Sequence, residues 1–297
     1  MTRANGQLLI DKASGLTSHD VVARVRKLLS EQRVGHAGTL DPMASGLLIL
    51  GVGASTRLLR FAQAQVKRYS GEVTLGVATD SLDADGVVVA TSALPALNEA
   101  YVNDVARAML GAQLQTPPMV SARRVDGQRL YNLARQGLSV EREARPVTIE
   151  SFMVCASEDP ARWHFEVTCS VGTYVRVLLS DLAERLGTLG HLSALRREAS
   201  GAHEVHNAWT LEELGVALDE GRSVLRPPVA FVDELEQVRV DAATIARLRQ
   251  GQRVELDTAA EGEVAVLDVE GDLVAIVVAR AALFKPEIVM PDDSTKR

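Results

Sequence analysis

One stretch restricts this chain more than any other: Gly35-His36-Ala37-Gly38-Thr39-Leu40-Asp41-Pro42-Met43-Ala44-Ser45-Gly46, polar and glycine-rich, between two strongly apolar elements. Before it, Val21, Val22, Val25, Leu28 and Leu29 recur at helical spacing; after it, Leu47-Leu48-Ile49-Leu50 predicts a short buried strand. The stretch reads as a loop anchored at both ends. Its glycines permit backbone conformations that other residues resist, and Pro42 biases Asp41 away from the α region, so one carboxylate is presented on extended backbone. Taken as bare residues, Asp-Pro and Gly-Thr are also ordinary turn chemistry, with Asp41 capping a loop.

The run GHAGTLDPMASG resembles the signature loop of the pseudouridine synthases, in particular the TruB branch that modifies the TΨC loop of tRNA. That resemblance implies that Asp41 is the catalytic nucleophile and that His36 contacts RNA near the target uridine. A second run, Ser170-Val-Gly-Thr-Tyr174-Val-Arg176, opens a predicted helix to Gly187 and resembles the family pattern SxGTYxRxLxxDLxxxLG. There the arginine pairs with the nucleophile and the tyrosine lies against the base, which assigns those roles to Arg176 and Tyr174. Elementary electrostatics agrees: a buried carboxylate needs a cationic partner to stay ionised, and a nearby arginine lowers its pKa.

Lys67-Arg68-Tyr69 opens a strand in which Tyr69, Gly71, Val73, Leu75 and Val77 alternate to one face. Tyr69 suits a core start equally well; in the family the tyrosine of this KxY element stacks on the flipped uracil, as flat aromatic faces do with unstacked bases. In His191-Leu-Ser-Ala-Leu195-Arg196-Arg197 the resemblance makes Leu195 pack on the target base, and a core strand residue is the other reading. DKxxGxTS, from Asp11 to Ser18, resembles a first family motif, in which Lys12 takes a structural role. Ser121 to Gly137, with Arg124 where lysine is common, is a basic turn plus helix for which a surface role is expected.

Other signals fail on inspection. Gly51-Val-Gly-Ala-Ser-Thr lacks the third glycine of a dinucleotide loop and the Gly-Lys of a P-loop, and Ser92 stands where a calcium loop starting at Ser81 requires glutamate. The acids of Thr79 to Gly86 are therefore expected to serve the turn. Cys155 and Cys169 lack CxxC spacing and read as reduced, buried residues; six scattered histidines give no zinc signature. No apolar run approaches the roughly 20 residues that span a bilayer, so a cytoplasmic protein without membrane contact is expected.

The net charge of -7 is unusual for an RNA enzyme, but its distribution is uneven. From Arg24 to Arg68 eight bases face two acids, from Arg123 to Arg145 six face three, and from Asp233 onward eight face fourteen. Polyanion binding is thus expected of the first two thirds.

The expected architecture is α+β: a pseudouridine synthase catalytic domain, 1–230, around a mixed, mainly antiparallel sheet. Pro227-Pro228 marks the boundary to a small β-rich, PUA-like module, 231–290, followed by a disordered tail, 291–297. It predicts a short helix over 241–249 and strands near Val254, over 264–269 and over 274–278. The implied chemistry is isomerisation of a tRNA uridine without metal or cofactor, Asp41 attacking C1′ or C6 and Tyr174 serving as base. A monomer acting on the T arm without guide RNA is expected; a non-catalytic tRNA-binding protein and a guide-dependent subunit are the alternatives.

Overall fold

The computed structural model describes residues 4–118, 124–125, 128–129, 140, 142–280 and 283–292. Most of the basic stretch from Ser121 to Gly137, and the expected tail from 293 onward, lie outside the described residues. So do the side chains at 124–125 and 128–129.

The apolar run Leu8-Leu9-Ile10 forms β1 (Gly6–Lys12). Thr17 then starts α1 (Ser18–Leu29) through a capping box with Asp20, and Val21, Val22 and Val25 turn its apolar stripe inward. β2 (Val34–Ala37) and β3 (Ser45–Val52) form an antiparallel pair in which His36 faces Leu50. Gly35, His36 and Ala37 are thus strand and not loop: their backbones complete a ladder beside the apolar β3, and that context overrides their weak strand propensity. α2 (Leu59–Ala64) leads to β4 (Lys67–Leu75), β5 (Val77–Thr79) and β6 (Val88–Thr91). α3 (Glu99–Arg107), capped by Asn98, precedes β7 (Gly111–Gln115).

After the short pair β8 (Arg124–Val125) and β9 (Gln128–Arg129) come the long hairpin strands β10 (Arg145–Ala156) and β11 (Arg162–Cys169). α4 (Val175–Arg185), β12 (Gly190–Ser200) and β13 (His203–Glu204) follow, then α5 (Leu211–Asp219), opened by a Thr210/Glu213 capping box. The last segment holds β14 (Glu236–Arg239), α6 (Ala242–Arg249), β15 (Glu263–Leu267), β16 (Leu273–Arg280) and β17 (Leu283–Val289). Near Val254 there is only a bridge to Phe284, and β14 and β17 take the outer positions instead. Both are poor in the alternating apolar pattern, and Pro286 of β17 is the residue an edge strand tolerates.

The main sheet runs β1-β3-β12-β4-β11-β10-β7, with β2 on β3 and β13 on β12. Only the contact between β3 and β12 is parallel, so the sheet is mixed and mainly antiparallel. α3 and α4 cover one face of β4, β10, β11 and β12, while α1 and α5 cover β1 and β3. The second sheet, β14-β15-β16-β17, has a core of its own around Val264, Val266 and Phe284. It is also docked: Leu267, Leu273 and Ile288 join Leu9, Leu47 and Leu58 in one cluster, and Arg60 pairs with Glu263 and Glu287.

The parallel crossing places the site. Arg197 of β12 stands beside Gly46 of β3, whose φ is +99° and whose missing Cβ would lie 2.3 Å from the Arg197 carbonyl oxygen. Only glycine lets the strands approach this closely at that backbone angle.

Candidate active site

Residues 38–44 join β2 to β3, and the turn between β1 and α1 holds them from behind. Ser18 Oγ accepts from Leu40 N (2.9 Å), Ser14 Oγ donates to the Met43 carbonyl (2.9 Å), and Gly15 N donates to the Pro42 carbonyl (2.8 Å). Lys12, fully buried, donates from Nζ to the carbonyls of Ala13, Leu16 and Pro42; burial pulls its pKa down to about 8. The structural role expected of Lys12 is therefore concrete: it fastens the base of the Asp41 loop.

The loop forms one side of a cleft of about 680 Å³ whose walls include Asp41, Lys67, Tyr69, Tyr174, Arg176 and Leu195. Five of the six residues singled out from sequence thus meet there. His36 does not line the cleft: its ring lies on β2, edge-on to His19 at 6.5 Å between centroids. Burial lowers the His36 pKa, which leaves the imidazole neutral at pH 7.

Arg176, on the first turn of α4 and 4 % exposed in its side chain, bridges two carboxylates. Its Nε lies 3.1 Å from Asp41 Oδ2, one terminal nitrogen lies 3.1 Å from Asp83 Oδ2, and the same nitrogen donates to the Ser81 carbonyl at 2.9 Å. Asp83 is thus a site residue and not only a turn acid, a role invisible in sequence because the contact joins distant segments. The turn chemistry is present too: Ser81 Oγ donates to Asp83 Oδ1, and Asp83 Oδ1 accepts from Asp85 N.

Asp41 does not have the depressed pKa that an arginine partner alone predicts. Burial raises it, Arg176 opposes that rise, and Asp83 and Asp85 add to it, for a net shift upward. With 36 % of its side chain exposed to the cleft, the carboxylate is oriented yet open to a reactant. A raised pKa also makes it a stronger nucleophile when ionised.

A cationic patch of Arg197 and Lys67 lies against Gly38 at the start of the Asp41 loop. Arg197, on β12, donates from Nε to the Leu47 carbonyl (2.6 Å) and from a terminal nitrogen to the Gly38 carbonyl (3.3 Å), and it hydrogen-bonds the Tyr69 hydroxyl across the strand pair. Burial raises the Tyr69 pKa, so the phenol is neutral and its ring is fixed. Leu195 projects from the same strand two residues earlier, and the buried Gln115 holds the Tyr174 backbone through Tyr174 N (2.7 Å) and the Tyr174 carbonyl (3.1 Å). Arg197 stands in the stretch that singled out Leu195 but was given no role of its own there, and Gln115 carried no signal in the sequence beyond residue type. Of the two cysteines, both free, Cys169 is buried as expected but Cys155 is exposed, because it falls on the solvent face of β10.

The fold is shared with solved structures. The chain superposes on the crystal structure of a Cbf5-Nop10-Gar1 complex with a TM-score of 0.75 at 24% identity, covering 97% of this chain and 86% of that one. An H/ACA RNP bound to a substrate RNA containing 2′-deoxyuridine gives 0.74 at 23% identity, over 96% and 85%. The sequence relationships define the class: a pseudouridine synthase, an isomerase. The TruB family pseudouridylate synthase (N terminal domain) model matches residues 26–175, and the chain belongs to that family. It is 40% identical to tRNA pseudouridine synthase B of Lactobacillus delbrueckii subsp. bulgaricus over 85% of this chain and 87% of that one. With the enzyme of the same name from Streptococcus pyogenes serotype M2 it shares 39% over 96% and 99%.

Proposed function

We propose that this chain converts the uridine of the TΨC loop of tRNA, position 55, to pseudouridine, with Asp41 as nucleophile and the target nucleotide flipped into the cleft. The observation that carries this reading is the Arg176 bridge, which fixes an accessible carboxylate in a cleft of nucleotide size. The reaction is an isomerisation. The bond between C1′ and N1 breaks, the uracil turns, C5 bonds to C1′, C5 gives up its proton and N1 gains one. Nothing is oxidised, so no redox cofactor is consumed.

Asp41 attacks C1′ or C6, and Arg176 holds its second oxygen away from the substrate. Tyr69 stacks on the uracil, Leu195 packs against its edge and Tyr174 takes the C5 proton; with a reference pKa of about 10 the phenol acts in concert with C5 bond breaking and not as a preformed phenolate. His36, outside the cleft, contacts the RNA beside the extruded nucleotide. The catalytic domain 1–230 carries this chemistry, and the module 231–290 is a PUA-like RNA-binding domain. The protein works in the cytoplasm as a monomer without guide RNA. The stand-alone reading is favoured over a guide-dependent subunit because relatives that match it nearly end to end are named tRNA pseudouridine synthase B.

The test is a purified protein, EDTA, and an unmodified tRNA transcript tritiated at uracil C5. Release of label by wild type and none by Asp41→Asn is expected. Binding without release by wild type would overturn the stand-alone enzyme.

A further inference from the structure

Lys67 is a cleft residue that the proposed chemistry does not use. It is the first residue of β4, 6 % exposed, and it lines the cleft beside Gly38, Gln63 and Arg197. Its Nζ donates to the carbonyls of Gln63 (3.0 Å) and Gln65 (2.7 Å) at the end of α2, which uses two of its three protons. The charges that act on it are unusual. The largest neighbouring influence after burial is a second cation, Arg197, and among the described residues no carboxylate contributes; Cys169 is the other group that faces it. Arg197 spends its own donors on backbone carbonyls and on Tyr69.

A buried cation costs stability unless something pairs with it. Lys12 in the same site has acids within reach, Asp41 and Asp20; Lys67 has none. A helix cap alone does not call for a buried ammonium, because lysines cap helix ends from the surface with the head in water. An anion entering by way of the cleft would supply that partner.

We propose that Lys67, backed by Arg197, is the subsite for a phosphodiester group of the RNA chain flanking the target nucleotide. This rests on the RNA-modifying reading above. The phosphate takes the third proton of Nζ and neutralises the cationic patch, while Asp41 is left for the base and sugar. Lys67 is then a gauge of correct seating, since its charge is compensated only when the backbone lies along that patch. The amine, with its pKa brought down to about 8 by burial, takes up a proton as the phosphate binds.

The experiment measures affinity for an unmodified T-arm RNA as a function of KCl, for wild type, Lys67→Met and Lys67→Arg, alongside tritium release. For single-stranded contacts each neutralised phosphate adds roughly 0.7 to the slope of log K against log salt. Lys67→Met is expected to flatten the slope by about that amount and Lys67→Arg to keep it. A methylphosphonate at the contacted linkage should weaken binding by wild type and leave Lys67→Met unaffected. Wild-type affinity should also fall as pH rises through 8, and Lys67→Arg should not follow it. A purely structural lysine would give Lys67→Met a lower melting temperature with an unchanged salt slope and no linkage sensitive to methylphosphonate; that result overturns the proposal while wild-type release still upholds the enzyme. No binding or release by wild type would overturn both.

Discussion

The Arg176 bridge is the feature whose energetics are most open to calculation. Replacing Arg176 by alanine strands Asp83, whose side chain is 6 % exposed, and removes the ion pair of Asp41. Removing one partner of a buried pair costs about 3–5 kcal/mol, mostly the penalty of the abandoned charge. Neutralising that charge should therefore return much of the loss. Asp83→Asn alone leaves Arg176 with Asp41 and the Ser81 carbonyl, at a cost of about 1–2 kcal/mol. Arg176→Ala combined with Asp83→Asn should cost less than Arg176→Ala by itself, with a coupling energy of about 2–3 kcal/mol. Urea unfolding of the four proteins at pH 7.5 closes the cycle; additivity within about 0.5 kcal/mol would refute the claim that Asp83 depends on Arg176.

The same cycle has a kinetic face of opposite signs. On the proposed mechanism Asp41 must be ionised to attack, so turnover is lost as pH falls through its pKa. Asp83 raises that pKa and Arg176 lowers it. In pH profiles of single-turnover rate, Asp83→Asn should move the acid limb to lower pH, and whatever rate survives Arg176→Ala should have its limb moved higher. Stability of Arg176→Ala should rise on acidification: its stranded carboxylates bind protons more tightly folded than unfolded, so protonation favours the native state through that window. Both limbs moving the same way would show that the carboxylates do not share the arginine field.

Three further outcomes are expected. For wild type, the raised Asp41 pKa should put the acid limb of the rate profile above the ordinary aspartate value, and a limb at or below that value would contradict it. Gly46→Ala should lose roughly 3 kcal/mol or more, combining left-handed strain with the overlap against Arg197, whereas Gly187→Ala, at φ +77° with nothing within 4 Å, should lose only about 1 kcal/mol; equal losses would show that β3 and β12 separate freely. Under a thiol-specific disulfide reagent, native protein should titrate one thiol rapidly, Cys155, while Cys169, buried with its pKa pushed up to about 11, reacts only on unfolding.

What the sequence revealed and what it hid divide along a physical line. Asp41, Tyr174, Arg176, Tyr69 and Leu195 stand in local patterns whose glycines, prolines and alternation fix backbone shape within a few residues, and those five line the cleft. Asp83, Arg197, Gln115 and the uncompensated charge of Lys67 matter because of partners far along the chain, supplied by the β4 to β12 pairing and the β3 to β12 crossing. No window of sequence contains those contacts. The misplaced features have the same origin. His36 looks like a loop residue until β3 pairs with it, and an Asp beside an Arg looks acidified until the burial of both and the second carboxylate are counted. Here the balance runs against the pairwise intuition: one arginine is shared by two acids, so it orients Asp41 without fully compensating it. On the proposed mechanism the nucleophile must be both held in place and kept basic, and the two conditions have separate sources: Arg176 holds Asp41, while burial and the second carboxylate keep its pKa up.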